Sequence, residues 1–248
     1  MKLDMSNVIF SNNDVHNAIR LPREMTTDLA YLLGVQLGDG YLKKLCRGTT
    51  VDYRICYDGH SINDKSYFEL VLRKVIKVLF NKDVNIFTTT TGTVQISFRS
   101  KAIFTFLNQC CGVHESPKID LPVPAVILQS SETIKRAFLR GLADSDFSLT
   151  FKKRVKTADY PVIYYQTSCQ ALYSDTRRLL TDLGFNATGG YRKNKRYERV
   201  YYAYYLQISG RKQLDKWMKE VGFLSFNHLS RYETWKKLGR LPTSLNTQ

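Results

Sequence analysis

Thr26-Thr27-Asp28-Leu29-Ala30-Tyr31-Leu32-Leu33-Gly34-Val35-Gln36-Leu37-Gly38-Asp39 and Thr133-Ile134-Lys135-Arg136-Ala137-Phe138-Leu139-Arg140-Gly141-Leu142-Ala143-Asp144-Ser145-Asp146 are two copies of one pattern, 107 positions apart. Small residues recur at every fourth position, Thr26, Ala30, Gly34, Gly38 and Thr133, Ala137, Gly141, Ser145, a period that puts them on one stripe of a helix. Glycine inside a helix costs about 0.5–1 kcal/mol relative to alanine. Gly34 and Gly141 are therefore expected where two helix backbones approach closely, so the two stripes should pack together. Asp39 and Asp146 then sit side by side. A carboxylate at a helix C-terminus faces the negative end of the helix dipole, and a second one adds repulsion; a bound divalent cation makes the arrangement favourable.

At these residues the chain resembles the LAGLIDADG homing endonuclease family in its two-motif, single-chain form. The matching nonapeptides are Leu32-Leu33-Gly34-Val35-Gln36-Leu37-Gly38-Asp39-Gly40 and Leu139-Arg140-Gly141-Leu142-Ala143-Asp144-Ser145-Asp146-Phe147. The resemblance implies that Asp39 and Asp146 hold catalytic metal at the base of a helix pair. The final glycine of the motif, present as Gly40, is replaced by Phe147 in the second copy, which bears on the aim of Asp146.

The 248 residues suffice for one large domain or two smaller ones. Lys plus Arg number 37 against 22 Asp plus Glu, a net +15 that points to a polyanion, nucleic acid first, more than to a metabolite. Residues 1–116 hold 14 basic and 11 acidic side chains and residues 117–248 hold 23 and 11, so the second half should grip phosphates harder. Cys46, Cys56, Cys110, Cys111 and Cys169 show neither zinc spacing nor a secreted disulfide framework and read as small buried thiols in a reducing compartment. No apolar run suggests a membrane span, and Met1-Lys2-Leu3-Asp4 does not open a signal peptide, so a cytoplasmic protein is expected.

Residues 1–25 are polar and read as an N-terminal arm on the surface. The first half spans 26–111. After Asp39, Tyr41–Leu45 and Val51–Tyr57 read as a hairpin around Arg47-Gly48-Thr49. Tyr67–Phe80 reads as a helix with Phe68, Val71, Leu72, Val75, Val78 and Leu79 facing the core, and Asn85–Thr90 with Thr93–Phe98 as a second hairpin around Thr91-Gly92. Lys101–Cys111 is helical again. Pro117, Pro122 and Pro124 break the linker 112–129, and the same order returns in 130–248, a second half that includes a C-terminal tail. Phe147–Arg154 and Val162–Gln166 form its first hairpin, Ala171–Gly184 its middle helix, and Ala187–Arg192 with Val200–Ile208 its second hairpin. The expected fold class is α+β: two pseudo-symmetric αββαββα halves with saddle-shaped antiparallel sheets and paired central motif helices.

The resemblance implies that each sheet lies on one DNA half-site, and the major groove admits a two-stranded ribbon. The candidate DNA-binding residues are Lys43, Arg47, Arg54, Arg99, Lys152, Arg154, Arg192, Lys193, Lys195 and Arg196. Tyr191–Tyr205 is the densest stretch, with six tyrosines and five basic residues in fifteen positions. In related proteins a lysine after the third helix of a half approaches the cleavage centre, and Lys118 is the candidate here; the corresponding stretch of the second half offers His228. Asp58 and Gln166 stand near the ends of second strands, where they could order water or be ordinary surface groups.

Phosphodiester hydrolysis needs a nucleophilic water, neutralised phosphate charge and a stabilised leaving oxygen, all of which Mg²⁺ supplies. Asp39 and Asp146 offer carboxylates, and Gly38 and Ser145 offer main-chain carbonyls. The reading is a monomeric, site-specific, divalent-metal-dependent DNA endonuclease that cuts both strands of a long double-stranded target. The alternatives are an intron RNA maturase and a catalytically silent DNA-binding regulator of the same fold. The ends, Met1 and Asn246-Thr247-Gln248, lack self-splicing residues, so an intein is not expected.

Overall fold

Strand alternation and helix periodicity emerge as two four-stranded antiparallel sheets backed by helices, an α+β architecture. The computed structural model describes residues 1–48, 50–117, 121–153, 157–196 and 199–242, the side chains of Arg47, Arg196 and Arg199 excepted. One compact unit comprises Met1–Ile119 with Pro124–Ser145, and the other Asp120–Val123 with Asp146–Gln248.

The first unit begins with α1 (Asn12–His16), the first motif helix α2 (Thr27–Leu37) and the hairpin β1 (Gly40–Arg47) and β2 (Thr50–His60). Helix α3 (Lys65–Tyr67) runs through a π-turn at Phe68–Leu72 into α4 (Arg73–Phe80). Strands β3 (Ile86–Thr88) and β4 (Thr93–Arg99) follow, then α5 (Lys101–Thr105) with a π-turn at Phe106–Cys110, α6 (Ala125–Leu128) and the second motif helix α7 (Glu132–Asp146). The sheet order is β1-β2-β4-β3. The two motif helices do pack backbone to backbone. A Cβ on Gly34 would lie 2.2 Å from the Phe138 carbonyl oxygen, and one on Gly141 would lie 2.0 Å from that of Tyr31. Both distances are far inside contact, so only glycine permits this approach.

Two expectations fail here. Val78 is 72% exposed rather than in the core. A π-turn takes one residue more than an α-turn, so the one at Phe68–Leu72 rotates the helix face, and Ile76 and Phe80 fill the core instead. The N-terminal arm is anchored rather than a loose tail. The backbone at Lys2 pairs antiparallel with that at Glu24, through Leu3 N to the Arg23 carbonyl and Met25 N to the Met1 carbonyl at 2.9 Å each, and Leu3, Ile19 and Met25 are buried. Asp14, also buried, accepts hydrogen bonds from Ser100 Oγ at 2.6 Å and Ala102 N at 3.1 Å. Burial pushes the Asp14 carboxyl up, but these bonds and those from Ser11 outweigh it and hold the group below its ordinary value.

The second unit contains β5 (Phe147–Lys152), β6 (Tyr160–Thr167), α8 (Gln170–Asp182), β7 (Ala187–Arg196), β8 (Arg199–Ser209), α9 (Arg211–Glu220) and α10 (Phe226–Leu238). Its sheet order, β5-β6-β8-β7, reproduces that of the first. Trp217 centres the core, with Phe147, Phe185 and Phe223 rings 5.9, 5.4 and 5.7 Å away. Helix α10 packs on the first hairpin of this unit. Trp235 stacks on Phe151 at 5.3 Å and donates its indole N–H to the Asp159 carbonyl at 2.8 Å. All five cysteines are free; Cys46 is exposed, against expectation, and the other four are buried. No helix among the described residues is long and apolar enough to cross a membrane.

Candidate functional site

Helix α2 is capped by Thr26, whose hydroxyl accepts from Leu29 N at 3.2 Å, and it is buried from Leu29 to Leu37. At its end Gly38 N–H bonds the Gly34 carbonyl and the chain turns. A Cβ on Gly40 would lie 2.6 Å from Gln36 Cα, so the motif's closing glycine lets β1 leave immediately beside the helix. Asp39 falls in that turn, half-buried, with its carbonyl accepting from Asp58 N at 3.1 Å. The Asp58 carboxylate accepts in turn from Gln95 Nε2 at 2.6 Å, so Asp58 braces the turn rather than standing loose on the surface.

The second motif ends differently. Helix α7 continues through Asp146, which is exposed, and β5 starts at Phe147 without an intervening turn. The Phe147 ring packs on Tyr165 at 4.6 Å, a core position that a glycine would leave empty. Burial, and second the field of Asp146, push the Tyr165 phenol well up; burial first, with Asp144 and then Asp39 among the further causes, does the same to Tyr67. Each motif thus ends in a carboxylate preceded by a main-chain carbonyl, Gly38 before Asp39 and Ser145 before Asp146, oxygen atoms of the kind a hard divalent cation takes. No group of three or more His, Cys, Asp or Glu among the described residues could hold a metal ion.

His228 serves a different purpose from the one the linker comparison suggested. It lies buried in α10, its Nε2 2.9 Å from the Phe147 carbonyl, with its ring stacked on Phe223 at 4.5 Å. Burial drops its pKa to about 4. It is a neutral packing group, not a proton carrier. Gln166 is exposed and accepts from Tyr164 Oη at 2.7 Å. Lys118 and Arg154 lie outside the described residues, as do the side chains of Arg47 and Arg196.

Strand alternation sorts the remaining cations by face. Lys43 pairs with Arg54 and Arg54 with Arg99, so three of the candidate residues form one row across β1, β2 and β4, on the face opposite the buried Leu42, Ile55 and Phe98. Like charges directly opposite one another repel. Asp52 relieves the repulsion by bridging Arg54 at 2.8 Å and Arg99 at 2.9 Å. Asp52 was missed from sequence, although its spacing of two from Arg54 was the available signal. In the second sheet Lys152 is exposed, and Arg192 sits 5.1 Å from the Tyr205 ring centroid on the corresponding face. Lys193 and Lys195 alternate to the other face of the β7–β8 ribbon, with Tyr191, Tyr202 and Tyr204. Arg192 therefore does not share a face with Lys193 and Lys195.

Residues 133–222 match the family profile described as LAGLIDADG-like domain. Among solved structures, I-DmoI in complex with DNA and Mn aligns at TM-score 0.59 and 20% identity, covering 80% of this chain and 98% of that one. The LAGLIDADG meganuclease I-AabMI bound to uncleaved DNA aligns at TM-score 0.50 and 12% identity, over 84% and 91%. These likenesses show that the LAGLIDADG fold extends beyond the profile match to most of the chain. The replicative DNA helicase DnaB of Rhodothermus marinus is 34% identical over 101 residues, 40% of this chain but only 10% of that protein.

Proposed function

We propose that the chain is a site-specific, divalent-metal-dependent homing endonuclease that makes a double-strand break in a long DNA target. The observation carrying this reading is the pair of acid-terminated helices, α2 before Asp39 and α7 through Asp146, packed through Gly34 and Gly141 in the fold of I-DmoI, which was solved with DNA and Mn and with DNA and Ca. Asp39 and Asp146, with the Gly38 and Ser145 carbonyls, would hold Mg²⁺, whose chemistry is to neutralise phosphate charge and acidify a bound water. Asp58, tied to Gln95 and to the Asp39 carbonyl, holds the first acid's turn in place. Lys118 is assigned to stabilising the negative charge that builds on the phosphate.

Lys43, Arg47, Arg54, Arg99, Lys152, Arg154, Arg192, Lys193, Lys195 and Arg196 neutralise DNA phosphates and fix register. The working division is an arm at 1–25, motif halves at 26–111 and 130–248, and a linker at 112–129. One chain carries both motifs, so we take the active form to be a monomer. It acts in the cytoplasm, in service of the mobility of a host intron.

The test uses a duplex selected from a random library by binding or cutting. Asp39→Asn and Asp146→Asn each remove a negative charge at nearly constant volume, so Mg²⁺-dependent cleavage should fall severely while binding in Ca²⁺ persists. Thermal stability in chelator should hold or rise as carboxylate repulsion is relieved. Wild-type cutting rates in both single variants would sink the assignment. A wild type that binds its best duplex and never cuts it favours the maturase or the silent regulator, which splicing of a cognate intron transcript separates.

A further inference from the structure

Inside the first unit three polar side chains form a chain through otherwise apolar packing. Tyr31 Oη lies 2.6 Å from Tyr67 Oη and 2.8 Å from Asp144 Oδ2, and all three residues are buried. A phenol has one proton to give. Tyr31 donates its proton to the carboxylate, so Tyr67 must donate to Tyr31, and the chain runs Tyr67 to Tyr31 to Asp144. It ties α3, α2 and α7 together one short step before the end of α7, where Asp146 stands two residues beyond Asp144. The 107-residue offset maps Tyr31 onto Phe138 and Asp144 onto Leu37. The partner positions thus carry two hydrocarbons, which can neither donate nor accept. A side-chain tie of this kind therefore cannot be repeated at Phe138 and Leu37.

We infer that Tyr31, Tyr67 and Asp144 are positioning residues for Asp146, and that they make the two acid centres of the proposed nuclease unequal in their support. This rests on the nuclease reading. Helix α7 cannot rotate to re-aim Asp146 without breaking the Tyr31 bond, and Gly141, one turn earlier, is pinned against the Tyr31 backbone. The end of α2 is held instead by Gly40 against Gln36 and by the Asp58 bond. Each acid is aimed by a different device, so loss of one device should affect one scission more than the other.

The experiment uses the full chain and a selected duplex with each strand separately labelled, cut in single turnover. Tyr31→Phe and Asp144→Leu should slow one strand's scission by about tenfold to a hundredfold, the scale of a misplacement of about 1 Å, with the other strand less affected and binding in Ca²⁺ unchanged. Asp144→Asn keeps an oxygen that Tyr31 can reach and should restore the strand ratio toward wild type. Hydrogen exchange without metal supplies a readout independent of cutting: the amides of Ser145, Asp146 and Phe147 should exchange faster in Tyr31→Phe, and those of Gly38, Asp39 and Gly40 should not. General destabilisation would slow both strands alike and loosen both ends, which overturns the inference. Wild-type cutting with an unchanged strand ratio in both variants sinks it while leaving the nuclease intact. A wild type that cuts no selected duplex sinks the nuclease reading and, with it, the assignment of these residues to catalysis.

Discussion

At the scale of single residues, His228 shows how far a side chain's role depends on what covers it. Its Nε2–H reaches the Phe147 carbonyl, so protonation must occur at Nδ1, which is buried without a hydrogen-bond partner among the described residues, close to the Arg231 charge. The folded value of about 4 lies below the ordinary 6.5, so the unfolded chain takes up a proton that the folded chain refuses. The stability this contributes is complete above about pH 6.5 and is lost as pH falls from there through about 4. The free energy of unfolding of wild type should drop more between pH 7 and pH 4 than that of His228→Gln, by on the order of 3 kcal/mol at about 1.4 kcal/mol per unit. Equal acid limbs in chemical denaturation would contradict this. Sequence alone placed His228 beside a catalytic position because residue type and spacing carry no information about burial. Asp52 escaped notice for the converse reason: its value lies in the two arginines that the register brings to it, one of them 47 positions away.

At the scale of elements, the motif helices were legible because small residues at a fixed period admit few explanations. The glycines permit a sharp test of these close approaches. Cβ atoms at Gly141 and Gly189 would meet main-chain oxygens at 2.0 and 2.1 Å, whereas one at Gly190 meets only the Tyr205 side chain, at ordinary contact. Gly141→Ala and Gly189→Ala should each cost about 1–3 kcal/mol through overpacking, and Gly190→Ala should be neutral or slightly stabilising through the unfolded state. Thermal melts of the three variants decide; equal behaviour of Gly189→Ala and Gly190→Ala would count against the ribbon register. Other elements were hidden. The π-turn at Phe68–Leu72 shifts a helical period without any residue that marks it. The buried stripe of α10 is His228, Arg231, Tyr232 and Trp235, so a search for apolar periodicity sees half of it as polar.

At the scale of the whole molecule, charge sets the terms of binding. The excess of +15 was legible as a polyanion signal, and its concentration in residues 117–248, 23 basic against 11 acidic, points to the second half as the stronger grip. What the composition could not show is which face each cation occupies, because alternation depends on register. Lys43, Arg54 and Arg99 share a row, while Arg192 is separated by the ribbon from Lys193 and Lys195. Each phosphate contact removed should flatten the log–log salt dependence of DNA affinity by about 0.9. Arg99→Ala and Arg192→Ala should each produce that change if the faces they occupy lie on the duplex. Lys193→Ala with Lys195→Ala then separates two ways of docking. A ribbon laid flat on the groove turns these lysines away, and the double variant leaves the slope where it was; a ribbon set edgewise, with both faces against phosphate walls, loses up to about twice the single-contact amount. Binding titrations in Ca²⁺ across a range of KCl concentrations measure the slopes of the three variants against that of the wild type. A flat response to Arg99→Ala and Arg192→Ala together would remove both sheet faces from the interface, since these two residues stand on separate sheets and share no partner among the described contacts.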